Sequence, residues 1–224
     1  YKLLAFIDFC RNNENSWALT NHKLLSIRHY YNHLSSVKSH QGIEFKNPAT
    51  GIVLKGKTRT VVNNILTKKQ LEKIFETYEI KDNRTLRNKI ILGLLIYQGL
   101  TTEELHLLKS EFIKLKEGKI IVPGTKRSNG RTLKLQANQI FDLSEYLNKS
   151  RNEILEKSGK STNQLIISME GNENLKPVLY NLFINLKKLN PQIKDSKQIR
   201  KSVIVNWLKD YNLREVQYMS GHRY

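Results

Sequence analysis

Lys197 and Arg200 stand three residues apart in KQIRKSVIVNWLKD, a segment with a helical apolar pattern. Ile199, Val203 and Trp207 form one stripe, with Ile204 and Leu208 beside it, and that stripe must face a core. At this spacing the two cations share a helix face. They are either a solvated basic edge or a pair of donors aimed at one phosphate. Arginine suits the second use through its planar, bidentate fork. NLREVQYMSGH follows, with Asn212 as a helix cap and Gly221 in the left-handed position that ends a helix. His222 is thereby held at a fixed exit point. A lone histidine at a helix end is most often structural, and this one gains chemical interest only if Arg200 is near.

The elements that must position these groups are mostly helical. Residues 1–54 read as helical: Leu3, Leu4, Phe6, Ile7 and Phe9 make an apolar stretch, and Leu24, Ile27, Tyr31 and Leu34 fall at helical spacing. Asn47-Pro48 and Gly51 break the pattern. Residues 55–64, KGKTRTVVNN, are polar, basic and aperiodic. They read as an interdomain linker whose Lys55, Lys57 and Arg59 could follow a nucleic acid backbone, or as an ordinary exposed loop. A second unit, 65–224, opens with Thr67 as a cap for KKQLEKIFETY. Residues 88–108 are helical, punctuated by Gly99, with Thr101 or Thr102 as a second cap and Glu104 in its first turn. Over residues 119–135 the period changes. Two short β-like runs joined by Ser128-Asn129-Gly130 predict a basic hairpin set among helices. Residues 138–157 and 177–189 return to helix, and 165–167 read as a short strand. The fold class is mainly α with a small β-hairpin, an α+β chain of two domains.

Lys and Arg number 38 against 20 Asp and Glu, for a formal net charge of +18. That favours an anionic partner. Nucleic acid leads, through release of counterions condensed on its phosphates, and an anionic membrane surface is the rival. No apolar run reaches bilayer length, and the first residues show no signal pattern. The chain opens on Tyr1 rather than Met and reads as an excerpt whose natural ends lie outside it. Cys10 is the one cysteine, which rules out an intrachain disulfide and suits a reducing cytoplasm. It reads as a small core residue. No Cys/His cluster has zinc-ligand spacing, so no metal site is expected.

Taken in order, these segments resemble the tyrosine recombinase (phage integrase) family, especially the integrases of Bacteroides-type mobile elements. The family signature is H/K-x-x-R, a helix, then L-G-H, then a nucleophilic tyrosine. Lys197-Gln198-Ile199-Arg200 matches its first part and Ser220-Gly221-His222 its second. YQGLTTEELHLLK resembles T-G-L-R-x-x-E-L, placing Gly99, Leu100, Glu104 and Leu105 on the pattern. GTKRSNGRTLKL resembles the hairpin that bears the family's catalytic lysine, placing Lys126 there. The likeness covers residues 65–224. Residues 1–54, with the NPAT turn, are similar to the core-binding domain, less specifically. Each motif is weak alone, and four in the family's order carry the resemblance.

The resemblance implies site-specific breaking and rejoining of DNA. A tyrosine attacks a phosphodiester and leaves a 3′-phosphotyrosyl link, which a hydroxyl of another strand reverses. Bond energy is retained, so neither metal nor nucleotide cofactor is implied. Arg200 and His222 would hold nonbridging oxygens of the transition state. Lys197 would take a place often held by histidine, Lys126 would protonate the leaving 5′-oxygen, and Glu104 would be a buried orienting carboxylate. Arg127 and Arg131 on the hairpin would join Lys55, Lys57 and Arg59 in contacting double-stranded DNA. Two domains would clamp the duplex, with four protomers on two sites and a monomer in isolation. The setting would be a bacterial cytoplasm, at the nucleoid and not at a membrane.

Two departures stand out. The family's upstream arginine falls at Thr101, which has no guanidinium: either another cation serves, with Arg127 on the hairpin as the candidate, or the site is weaker. Tyr224 lies only two residues past His222, too close for the family's nucleophile, which is expected further along. Both departures suit an alternative, a recombinase-like protein that binds DNA without cutting it. A basic membrane-surface or RNA-binding helical protein would explain the charge but not the ordered motifs.

Overall fold

The structure, a computed structural model, describes residues 2–54 and 64–223. Lys55, Lys57, Arg59 and Tyr224 therefore lie outside the described residues. The chain divides into two compact units, Tyr1–Asn63 and Asn64–Tyr224.

The first unit pairs α1 (Lys2–Asn12) with α2 (Trp17–His40). Ser16 caps α2, its hydroxyl accepting from the Leu19 amide at 3.2 Å. Ile7, Cys10 and Leu24 are buried. Helix ends at His40, so the helical reading of residues 1–54 extends too far. From there to residue 54 side chains satisfy the backbone instead. Arg28 of α2 donates to the Ile52 carbonyl at 2.6 Å and to the Ala49 carbonyl at 3.3 Å. Asn47 accepts from the Ala49 amide at 2.8 Å and donates to Asn32 at 2.6 Å. An asparagine that bonds its own turn in this way competes with helix.

The second unit runs α3 (Lys68–Glu76), α4 (Asn83–Tyr97), α5 (Thr102–Leu107), β1 (Ile113–Lys114), β2 (Lys119–Val122), β3 (Arg131–Lys134), α6 (Ala137–Glu145), α7 (Arg151–Ser158), α8 (Lys176–Leu189), α9 (Ser196–Asp210) and α10 (Leu213–Ser220). It is mainly helical with a small sheet, as the residue pattern predicts. The axis is α4, where Ile91, Leu92, Leu94 and Leu95 are wholly buried. A helix apolar all round must be covered all round, and α3, α6 and α9 pack against it. The strands form an antiparallel sheet in the order β1-β2-β3, with Ile120 opposite Leu133 and Val122 opposite Arg131. Alternation turns Ile120, Val122, Arg131 and Leu133 inward.

Three local readings differ from the fold. A third strand, β1, extends the expected hairpin. The helix over 138–157 is interrupted by a wide turn at Tyr146–Ser150 between α6 and α7. Residues 165–167 are buried and form no strand: the pairing there is an isolated bridge of Gln164 with Lys109, and the Leu165 amide donates to the Leu108 carbonyl at 2.8 Å. Their apolar character reflects burial rather than strand pairing. Among the described residues no helix is long and apolar enough to cross a membrane.

Candidate active site

Arg200 is placed by the packing of α9 on the turn that ends α4. Asp195 caps α9, accepting from the Gln198 amide at 2.8 Å. Ile199 and Val203 are buried, with Trp207 packed beside them. The turn beneath holds Gly99 at φ +58°, where an added Cβ would lie 3.1 Å from Trp207 and 3.2 Å from Val203. Glycine answers both demands, the left-handed backbone and the close approach of the helix. The Gly99 carbonyl accepts from Arg200 Nη1. Nη2 donates to the Ser220 carbonyl at 2.6 Å, so one guanidinium ties the α4 turn to the end of α10. The side chain keeps 14% of its surface exposed. Burial lowers its pKa from the ordinary 12.5, Glu104 opposing the fall and Arg131 adding to it.

Glu104 lies at the centre of the group, its side chain with no exposed surface. Thr101 positions it through a reciprocal cap: the Thr101 hydroxyl accepts from the Glu104 amide at 3.1 Å, and the Thr101 amide donates to Oε2 at 2.8 Å. Oε1 accepts from Arg131 Nη1 at 2.6 Å and from the Ser128 hydroxyl at 2.7 Å. Arg131 Nη2 reaches Oε2 at 3.3 Å, and Arg200 Nη1 lies 3.7 Å from the same oxygen. Burial alone raises the carboxyl pKa, but the Arg131, Thr101 and Ser128 bonds outweigh it and hold the group below its usual 4.5. Glu104 is thus an anion clasped mainly by Arg131. The three ions sum to one positive charge, and Arg200 carries it at the open edge.

Arg131 corrects the expectation of a DNA contact at that position. Its side chain has no exposed surface, so its guanidinium is not presented to a ligand. Besides Glu104 it donates through Nε to the Met219 carbonyl at 2.7 Å. Alternation along Arg131-Thr-Leu-Lys-Leu puts Arg131 on the face of Leu133 and Leu135, and that period was the available signal. Arg131, not Arg127, is the second guanidinium on Glu104.

The hairpin tip and the exit of α10 are bonded together. Ser128 and Thr125 share a bond at 3.0 Å, and the Arg127 and Ser128 amides both donate to the Thr125 hydroxyl at 3.0 Å. The Asn129 amide donates to the Gly221 carbonyl at 2.8 Å, and the Arg223 guanidinium donates to the Thr125 carbonyl at 2.7 Å. Gly221 ends α10 at φ +71°, and a Cβ there would fall 2.5 Å from Arg131 Nη1. His222 follows, with Nδ1 2.7 Å from the Ser220 hydroxyl. Partial burial lowers its pKa below 6.5, and Arg200 and Arg131 add to the fall while Glu104 opposes it. These effects together favour the neutral ring over the imidazolium.

Of the sequence candidates, Arg200 and His222 are both bonded to Ser220, and Glu104 meets Arg200 as an ion pair at 3.7 Å, with Thr101 as the cap beneath. Lys126 and Arg127 are exposed at the hairpin tip between Thr125 and Ser128. Lys197 is exposed on α9, one turn before Arg200. None of these three side chains hydrogen-bonds to another described residue. Residue-type reasoning missed Ser128 and Ser220. Neither stands in a pattern that marks it, because their partners come from other elements.

A profile of the phage integrase family matches residues 64–224. The tyrosine recombinase XerC of Oceanobacillus iheyensis is 25% identical over 222 residues, which cover 97% of this chain and 70% of that protein. A putative tyrosine recombinase of Caldanaerobacter subterraneus subsp. tengcongensis is 26% identical over 224 residues, 98% of this chain and 72% of that one. Among solved structures, the Tn1549 transposon integrase, solved with circular-intermediate DNA, is similar with a TM-score of 0.71 at 16% identity, over 99% of this chain and 77% of that one. XerA recombinase is similar at 0.59 and 17% identity, over 99% and 89%. At these identities the two structures speak for the fold.

Proposed function

The chain belongs to the phage integrase family, and from that premise we propose that it breaks and rejoins DNA at specific sites through a 3′-phosphotyrosyl intermediate, without metal. The observation that carries this reading is the bonded group of Glu104, Arg131, Arg200 and His222, a single net positive charge preset beside a hairpin that ends in a lysine. A phosphorane-like transition state gathers negative charge on its nonbridging oxygens, and fixed donors stabilise it without reorganising. Arg200 donates to one such oxygen from its exposed edge, and His222 donates to the same phosphate. Lys126 protonates the leaving 5′-oxygen as general acid. Lys197 adds a second donor on the Arg200 side. Glu104 and Arg131 hold Arg200 and the Gly221-His222 exit in place.

Double-stranded DNA is the partner, favoured by the net charge of +18 and by relatives solved with DNA. The first unit serves as the core-binding domain, and four protomers assemble on two sites. The working compartment is the bacterial cytoplasm. One observation favours a second reading, binding without cleavage: Thr101 stands where the family signature has arginine, and its hydroxyl is committed to the cap of α5. A suicide substrate decides between them. The natural full-length protein is incubated with nicked duplex carrying its recombination site, covalent adducts are resolved on denaturing gels, and the modified tyrosine is mapped by mass spectrometry. A tyrosyl adduct is expected. Binding without adduct moves the protein to the second reading, and loss of both removes DNA as the partner.

A further inference from the structure

Lys126 and Arg127 are exposed, but Thr125 and Ser128 on either side of them are buried and bonded. The Ser128 hydroxyl lies 2.7 Å from Glu104 Oε1. That carboxyl is held below its usual range, so it is an anion and can only accept. Ser128 therefore donates its one proton to Glu104. The Thr125 hydroxyl, 3.0 Å from Ser128 Oγ, must then donate to it. Both lone pairs of Thr125 Oγ1 accept from the Arg127 and Ser128 amides at 3.0 Å, and the Thr125 amide donates to the Ser128 carbonyl at 2.9 Å. Each proton in this chain has one place to go, from the tip's amides through Thr125 and Ser128 to Glu104. Beneath the tip a Cβ on Gly124 would lie 3.1 Å from the Gly130 nitrogen, so the two limbs of the hairpin meet directly below it. We propose that Ser128 is a positioning residue for Lys126, anchoring the main chain of the hairpin tip to Glu104; this rests on the reading of Lys126 as general acid.

The anchor matters because a general acid must lie within hydrogen-bond reach of the oxygen that it protonates. Lysine carries its ammonium on a flexible stem, so the main chain beneath it decides which volume the ammonium can search. In the reaction the tyrosine oxygen bonds to phosphorus and gives its proton to solvent. The P–O5′ bond breaks, its electron pair stays on O5′, and the Lys126 ammonium supplies the proton and becomes a neutral amine. Ser128 acts on this step through the tip alone. Glu104 thereby serves both sides of the phosphate. It accepts from Ser128 beneath the leaving-group donor, and it lies 3.7 Å from Arg200, the donor to a nonbridging oxygen. One buried carboxylate sets the spacing of the two. Arg223 adds a second tie, its guanidinium donating to the Thr125 carbonyl at 2.7 Å, which joins the His222 exit to the same tip.

A substrate with sulfur in place of the bridging 5′-oxygen isolates this role. A thiol ionises at about pH 8.5, far below an alcohol, so a thiolate leaves without taking a proton. The natural full-length protein and its Ser128→Ala variant are compared on nicked suicide duplexes of both kinds, with Lys126→Ala as the reference. On the oxygen substrate Ser128→Ala should form adduct about tenfold more slowly, and Lys126→Ala about 10²–10⁴-fold, the contribution of a general acid. On the sulfur substrate both should approach the wild-type rate. The double variant should be no slower on oxygen than Lys126→Ala, because the two residues act through one group. Equal deficits of Ser128→Ala on the two substrates overturn the proposal, since damage to the Glu104 floor slows both alike. An unchanged oxygen rate also overturns it. Thr125→Val keeps the Ser128–Glu104 bond and carries the test if Ser128→Ala does not fold: it should show a smaller deficit that sulfur relieves, and a deficit that sulfur does not relieve overturns the proposal. A Lys126→Ala deficit that sulfur leaves in place removes Lys126 as general acid, and the role of Ser128 falls with it. No adduct from the wild type on either substrate removes the recombinase reading itself.

Discussion

Glu104 and Arg131 have no exposed side-chain surface, whereas Lys126, Arg127 and Lys197 are exposed and free of side-chain bonds to other described residues. The site therefore has a buried floor and an open rim, both made of charged groups. Buried ions persist only where partners and hydrogen bonds satisfy them, and removing one partner strands the other. The floor's geometry is thus set by the fold before any ligand arrives. The rim lysines and arginine pay a smaller desolvation penalty and can take their final positions against a phosphate. Arg200, at 14% exposure, belongs to both.

The contrast can be broken most severely at Glu104. Glu104→Gln leaves Arg131 buried without its counter-charge and should lower stability by about 3 kcal/mol, read by denaturant unfolding. The same carboxylate makes stability pH-dependent. Its folded-state pKa is lowered, so its contribution is fully present above about 4.5 and is lost as pH falls through the lower folded value. Wild-type stability should fall across that acid window, and Glu104→Gln should show less of the fall. An equal pH dependence in the two proteins would mean that the floor is not the clasped anion described above.

Arg200→Ala tests the residue shared by floor and rim. Strand cleavage should drop by about 10²–10³-fold, the effect of losing one preorganised donor to a charged transition state. DNA affinity by fluorescence anisotropy should change little, because many other cations share the backbone contacts. A collapse of binding would make Arg200 a docking residue.

Gly221→Ala sharpens the floor's dependence on backbone. It places a Cβ against Arg131 at a left-handed φ and should cost about 1–3 kcal/mol, read as a lower melting temperature. Arg127→Ala gives the smallest effect. The melting temperature should stay the same, and the salt slope of DNA binding should fall by about 1 if that guanidinium meets a phosphate. A large loss of stability there would erase the distinction between rim and floor.

Much of the fold was legible because its signals are local. Thr67, Thr101, Asn212 and Gly221 act as the caps their types suggest, and the stripe of Ile199 and Val203 faces the core. The third strand escaped because two residues carry no period. The charge of Arg131 suggests a surface position, but its alternation with Leu133 and Leu135 decides where it lies. In a two-residue period the inward face is inward whatever stands on it.

What the sequence alone determined is the set of elements, their order and the chemical types available: a lysine and arginine on one helix face, a glycine-histidine exit, a basic hairpin and a capped glutamate. Only the tertiary structure decided which charges are partners. Glu104 and Arg131 are 27 residues apart, and Arg200 and Gly99 are 101 apart. Long-range bonds of that kind follow from how α9, α10 and the sheet pack on α4. Periodicity reports which face of an element turns inward, but not which groups meet there.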